Sequence, residues 1–370
     1  MLEFTICFVA CHAGPADHFA AFANELQARG GKVEIFASGP ALSKLPQAQP
    51  FSLEGRIEWE VASEIARKCA KAAIVITDVG HPFNISMQKA LAQEAPHMIR
   101  AAYYDNPEDF VPGGYSETAA KVMQAAEKVF FANAHLANLP LLEEPLKEVA
   151  LARDKKIGLG YYPVEQAESI AKLRKEKGMQ IRAELFKTHG LVDRGQKLLV
   201  YAGGNNEEYF TKAWPAFLQI FKKAALDDVI VILQQHPGAK KENRDGKLAE
   251  ERGANLWISH LSSPDVQAAA DAMLYYQTSM APQFVLAQIP TIQVGHEVYQ
   301  DILTKNKLCR SATNPEEFLS ALKELQTQSS APTECIKESL GIHPDWGSRL
   351  AKRALELIAE KGYDSSQSGG

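Results

Sequence analysis

Residues 4–37 read FTICFVACHAGPADHFAAFANELQARGGKVEIFA. The first seven, 4–10, form the continuous apolar run of a strand buried on both faces. From Ala16 to Gly30 the period changes. Phe19, Phe22, Ala23 and Leu26 fall on one helical stripe, and Gly30-Gly31 supplies a helix stop. Residues 32–38 return to a strand pattern. A strand, a loop, a helix and another strand in succession predict a parallel sheet covered by helices.

Working outward, the alternation continues. Strands are expected at 72–78 (AAIVITD), 97–104 (HMIRAAYY) and 128–133 (KVFFAN), with helices at 58–70, 85–95 and 116–127. A second series begins at 197–203 (KLLVYAG). It continues with strands at 228–235, 255–260, 272–277 and 290–294, and helices at 209–225, 239–252, 265–271, 281–288 and 315–326. Between the two series lie KKIGLGYYPVEQ (155–166), which reads as a hinge, and a long charged helix at 167–188. An amphipathic helix is expected at 346–361, and DSSQSGG (364–370) reads as a disordered tail.

The 370 residues correspond to two domains at about 100–200 residues each. Hydrophobic residues at 46% and charged residues at 23% are globular values and exclude wholesale disorder. A net charge of -5 argues against a general nucleic-acid binder. No apolar run reaches the roughly 18 residues a membrane span needs, so no transmembrane segment is expected. Five cysteines at 7, 11, 69, 309 and 335 lack CxxC spacing and read as free, mostly core thiols of a reducing, cytoplasmic compartment. A nucleophilic Cys11 beside His12 is the functional alternative. The basic run Lys172–Lys177 reads as a solvated face, with peripheral membrane contact as the alternative.

Four stretches carry a family resemblance. They are the opening strand–loop–helix–strand, IGLGYYPVE (157–165), LLVYAGGNNEEY (198–209) and MLYYQTSMAPQFVLAQIPTIQV (273–294). Together the chain resembles the GT-B class of glycosyltransferases. The resemblance implies an α/β fold of two Rossmann-like, doubly wound domains facing across a cleft, with a C-terminal crossover helix. The acceptor domain would be 1–160, with 346–370 packing back on it, and the nucleotide-sugar donor domain 161–345. His236-Pro237 after a strand and Thr278-Ser279 before a helix are similar to CDP-glycerol glycerophosphotransferases and bacterial sialyltransferases. The donor helix carries Gln283 rather than a Glu, which departs from the retaining pattern and points to inversion.

The implied activity is transfer of a sugar from a nucleotide-activated donor to an acceptor hydroxyl. The acceptor would be a cell-envelope glycan or a lipid-linked one, and no metal or other cofactor is required. A non-hydrolysing sugar-nucleotide epimerase and a non-catalytic nucleotide- or glycan-binding protein are the alternatives.

The candidate residues lie where predicted strands end, the place ligands occupy in such sheets. On the donor side, Gly203, Gly204 and Asn205 would let backbone amides approach a phosphate; a tight strand-to-helix turn is the plain alternative. His236 could donate to a diphosphate oxygen, or merely close its strand. Gln277, Thr278, Ser279 and Met280 precede a helix at Ala281-Pro282, where Ser279 is a natural N-cap and free amides would attract an anion. The loop at His260 would border the base, with an ordinary surface histidine as the plain alternative. On the acceptor side, His12 is preferred as base over Asp17, because its free pKa lies near neutrality; Asp17 could instead compensate the helix dipole. Asp78, with Gly80, His81 and Asn84, and Asp105, with Asn106, Glu108 and Asp109, offer carboxylates for acid–base work or ordinary turn chemistry. His12, His81, His236 and His260 lack the H-x-x-x-H spacing of a metal site, and no metal ligand is assigned.

Overall fold

A computed structural model describes residues 4–108, 114–138, 153–159, 163–240, 242–254, 256–325, 333–339, 341–342 and 346–362. Asp109, residues 160–162 of the expected hinge and the tail 364–370 lie outside them. The chain divides into two compact units: Met1–Tyr162 with Leu340–Gly370, and Pro163–Ser339.

In the first unit the chain runs β1 (Thr5–Ala10), α1 (Ala13–Ala28), β2 (Lys32–Ala37), β3 (Gln49–Pro50), α2 (Glu58–Lys68), β4 (Ala72–Asp78) and α3 (Phe83–Glu94). It continues through β5 (Ile99–Tyr104), α4 (Tyr115–Ala125), β6 (Lys128–Phe131), α5 (Ala134–Asn138) and β7 (Lys156–Gly158). The sheet order is β3-β2-β1-β4-β5-β6-β7, and every pairing is parallel. β1 and β4 are almost wholly buried, as continuous apolar runs require. On α1, Phe19, Phe22, Ala23 and Leu26 are buried as the stripe predicts, and Gly30 ends the helix at φ +83°. β7 corrects the sequence reading: residues 156–158, expected in the hinge, are the sheet's edge strand beside β6.

The second unit runs α6 (Pro163–Thr188), β8 (Lys197–Ala202), α7 (Trp214–Ala224), β9 (Val229–Gln234), α8 (Arg244–Glu251), β10 (Trp257–Ile258), α9 (Ser263–Ala269) and β11 (Ala272–Tyr275). Then come α10 (Ala281–Leu286), β12 (Thr291–Val294), α11 (Ile302–Lys305), β13 (Arg310–Ala312), α12 (Pro315–Glu324) and α13 (Thr333–Ser339). Its parallel sheet is ordered β10-β9-β8-β11-β12-β13. One face packs on an aromatic cluster, with the Tyr201 ring 4.4 Å from Phe217 and 5.0 Å from Trp214. The polar helix at 239–252 starts later than expected, at Arg244, and it is not merely exposed. Asp245 in its first turn is fully buried, accepting from Gln235 Nε2 at 2.7 Å.

The last helix, α14 (Trp346–Glu360), belongs to the first unit and packs on α1 and β4. Leu350, Ala351, Ala354, Leu357 and Ile358 form its buried stripe. Of the five cysteines, Cys7, Cys11 and Cys69 are buried, Cys309 is half-buried and Cys335 exposed; all are free. Burial pushes the Cys11 thiol well up, with Asp78 adding to it, which disfavours the thiolate that a nucleophile needs.

Candidate functional site

In each sheet the strand order reverses once, between β1 and β4 in the first and between β8 and β11 in the second. The crevice beyond the carboxyl ends of such a strand pair is where open α/β sheets bind ligands. Both points carry clustered polar side chains.

In the first unit Asp78 ends β4 and is fully buried. Its Oδ2 accepts from the backbone N–H of Cys11 at 2.6 Å and of His12 at 3.0 Å, and its Oδ1 accepts from Asn84. This one carboxylate therefore ties the loop after β1 to the loop after β4. His12 Nδ1 lies 3.9 Å from Asp78 Oδ2, close enough for an ion pair but too long for a hydrogen bond. Burial works to lower the His12 pKa; Asp78, with Asp105 beyond it, outweighs burial, and the imidazole titrates above its ordinary value. The His81 ring stands 5.8 Å away. Its Nδ1 accepts from the Phe83 N–H at 3.1 Å, and burial, then His12, lower its pKa. Two neighbouring groups driven in opposite directions are a common arrangement at acid–base sites.

Asp105 follows β5 and completes the cluster. Tyr115 donates its hydroxyl to Asp105 Oδ1 at 2.8 Å, and burial pushes the carboxyl up to about 6. Gly80 allows the assembly to close: a Cβ there would stand 2.7 Å from the Tyr115 ring and 2.9 Å from that of His12. Asp17 is not part of the cluster. It pairs instead with Lys44 at 3.0 Å on the surface.

In the second unit Asn206, four residues past β8, donates to Gln277 Oε1 at 3.2 Å, and Gln277 Nε2 donates to Glu208 Oε2 at 3.1 Å. Gln277 adopts φ +49°, and this turn swings its side chain toward the β8 loop. Gly203 donates to the Gln234 carbonyl at 2.9 Å, and Gly204 lies against Tyr209, whose ring a Cβ would meet at 2.7 Å. Those glycines thus have a packing reason of their own. Asn205 is exposed and covers Gly238, where a Cβ would lie 2.5 Å from its Nδ2. His236 is exposed, and its Nδ1 accepts from Gly238 N–H at 3.1 Å, closing its own turn.

Ser279 is not the N-cap expected of it. The Thr278 hydroxyl accepts from Met280 N–H at 3.3 Å, Met280 occupies the cap position, and Ser279 is exposed. Helix α10 has only six residues, so its dipole is small. His260 stacks on His189 at 6.1 Å, and among the described residues no hydrogen bond joins it to the Gln277 network. Gln283 is buried and donates to Gln267 Oε1 at 3.2 Å.

The sequence reading missed Tyr115, Glu208, His296 and Glu297. The last two follow β12 after Gly295, with His296 at the same offset from a strand end that singled out His236. His296 Nε2 lies 3.5 Å from Glu208 Oε1 and 3.8 Å from Glu297 Oε1.

Two parallel, helix-covered sheet units in one chain, each with polar groups at its switch point, define the GT-B class of fold. No protein-family model matches the sequence, and no curated protein matches it. Solved structures do. The UDP-GlcNAc 2-epimerase of Methanocaldococcus jannaschii in complex with UDP-GlcNAc and UDP is similar with a TM-score of 0.69 at 11% identity, over 95% of this chain and 100% of that one. A glycosyltransferase from Rickettsia africae gives 0.64 at 12% identity, over 98% and 100%. The wall teichoic acid polymerase TagF gives 0.59 at 13% identity, over 98% and 90%.

Proposed function

We propose that the chain is a glycosyltransferase that moves a sugar from a nucleotide-activated donor to an acceptor hydroxyl with inversion. The observation that carries this reading is the His12–Asp78 pair at the switch point of the first sheet. With Nδ1 facing Asp78, Nε2 is left to take the acceptor's proton. The hydroxyl oxygen then bonds to the anomeric carbon, the bond to the donor phosphate breaks, and its electron pair leaves with the nucleotide. Asp78 steadies the imidazolium so formed, as a buried carboxylate does beside a base. The donor is assigned to the second unit, at the Gly203–Asn205 loop, His236 and Gln277–Met280. A UDP-sugar complex among the similar structures supports a nucleotide sugar as the substrate class. We assign the acceptor to the cell-envelope glycans, free or lipid-linked, and the reaction to the cytoplasm. Among the described residues no helix is long and apolar enough to cross a membrane.

A second reading has an observation of its own. Asp105, held up to about 6, stands in the same cluster as His12. Two acid–base groups of that kind suit an epimerase, which removes a proton from a sugar carbon and returns one. Similar folds of both kinds exist. Incubation with a panel of nucleotide sugars, with and without glycan acceptors, separates the readings. Nucleotide release that depends on an acceptor and is lost in His12→Ala supports transfer. An epimerised nucleotide sugar formed without acceptor supports the second reading and overturns the first.

A further inference from the structure

Glu207 and Glu208 are adjacent but differently partnered. Glu207 takes Arg244 at 2.9 Å on the surface. Glu208 turns toward β12, where its Oε1 meets His296 Nε2 and its Oε2 receives Gln277. Among the described residues no Lys or Arg pairs with Glu208 or Glu297. One ligating atom from each of Glu208, His296 and Glu297 lies within 4.8 Å of the others. Ligands about 2.1 Å from a shared cation stand roughly 3–3.5 Å apart, so small side-chain rotations would close this triangle on an ion.

A second observation points the same way. Tyr276 is completely buried, and among the described residues its hydroxyl meets no partner at full hydrogen-bond geometry. Burial first, then the charges of Glu208 and Glu297, push its pKa up. Its ring stands 5.3 Å from that of His296. Such a buried, unmatched phenol beside two carboxylates and an imidazole lacks one polar neighbour, and a cation's water would supply it. Gly295 brings the loop this close, since a Cβ there would lie 2.3 Å from the Tyr276 ring.

We propose that Glu208, His296 and Glu297 form a divalent-cation site at the carboxyl edge of the second sheet. One imidazole and two carboxylates, with the remaining positions left to water, suit Mn²⁺ or Zn²⁺ better than Ca²⁺. Glu208 comes from the helical start after β8 and the other two from the turn after β12, so no sequence spacing announces them. The site's cation affinity does not rest on the transfer chemistry assigned above, although Glu208 also receives a hydrogen bond from Gln277 of the proposed donor loop.

The test uses the full chain and the metal alone. Mn²⁺ titration, followed by calorimetry and by loss of the free-ion paramagnetic resonance signal, is expected to show one ion per chain and a raised melting temperature. Glu208→Gln and His296→Ala are each expected to weaken binding by more than about tenfold, since even outer-sphere changes cost about 10–100-fold. Glu297→Gln, on a side chain 60% exposed, keeps the test available should the other variants fail to fold. A free-ion signal that stays unchanged on adding protein, together with no thermal shift from Mn²⁺ or Zn²⁺, would make the three groups a simple ion-pair cluster and overturn the proposal. Equal affinity in wild type and all folded variants would do the same, because the ion would then lie elsewhere.

Discussion

Asp78 holds two backbone amides and faces one imidazole, so its substitution has separable effects. Asp78→Asn keeps an oxygen to accept from the amides but removes the charge that raises His12. The acidic limb of the pH–rate profile, where His12 must lose its proton to act, is therefore expected to move to lower pH, because a base without its carboxylate loses its proton more readily. His12→Ala should lower turnover by about 10²–10⁴ while leaving nucleotide affinity near wild type. Steady-state kinetics beside calorimetry would check this; near-normal turnover would remove His12 as base. Asp105 makes a prediction on stability. Its folded pKa of about 6 lies above the ordinary 3.8, so the folded state holds the extra proton. Its contribution is complete below the ordinary value and is lost as pH rises through about 6, a difference on the order of 2–3 kcal/mol. Asp105→Asn, which can still accept from Tyr115, should thus gain stability over wild type as pH rises from 4 to 7. Urea titrations across that range would show no widening gap if the carboxyl were not so held.

At the scale of elements, two contacts are exposed to simple tests. Gly204→Ala would press a methyl into the Tyr209 ring, itself buried, and overpacking of this kind costs about 1–3 kcal/mol. A lowered melting temperature is expected; an unchanged one would mean that the loop yields freely. Leu357→Ala on α14 should cost about 2–5 kcal/mol, as large-to-small core changes do. The strands and helices with long runs, such as 72–78 and 197–202, were legible because burial on both faces leaves little but apolar residues. Strands β3, β7 and β13 have two or three residues each, too few to express a period. They exist because a neighbouring strand offers them hydrogen bonds. The same limit applies to the site. His12, Asp78 and Asp105 were legible from their place at strand ends. Asp17 pairs with Lys44 instead, because a helical position does not reveal which neighbour will claim the side chain. Tyr115 and Glu208 meet their partners only through tertiary packing, and Ser279 lost its cap role to a left-handed turn at Gln277 that no local signal announces.

For the whole molecule, the expected outcome is ligand-linked stabilisation. If the second unit takes a nucleotide donor, one member of a panel of UDP, GDP, CDP, CMP and dTDP should raise the melting temperature. Ligand at 100 times its dissociation constant adds about 2.7 kcal/mol. A flat response across the panel would count against a nucleotide-dependent activity of either kind, and it would leave the cation site untouched.

The first unit is assembled from two separated stretches of chain, Met1–Tyr162 and Leu340–Gly370, with the second unit between them. The ribosome delivers these in order. Leu350 and Leu357, which cover α1 and β4, are synthesised only after the whole of Pro163–Ser339. At about 5–20 residues per second, the first sheet waits roughly 10–40 s with that patch of its surface bare. The second unit, contiguous in sequence, has no such delay and can complete its core first. Nascent chains arrested between the two stretches should therefore expose a protease-sensitive first unit beside a resistant second one, reversing the usual order in which the earlier-made domain matures first.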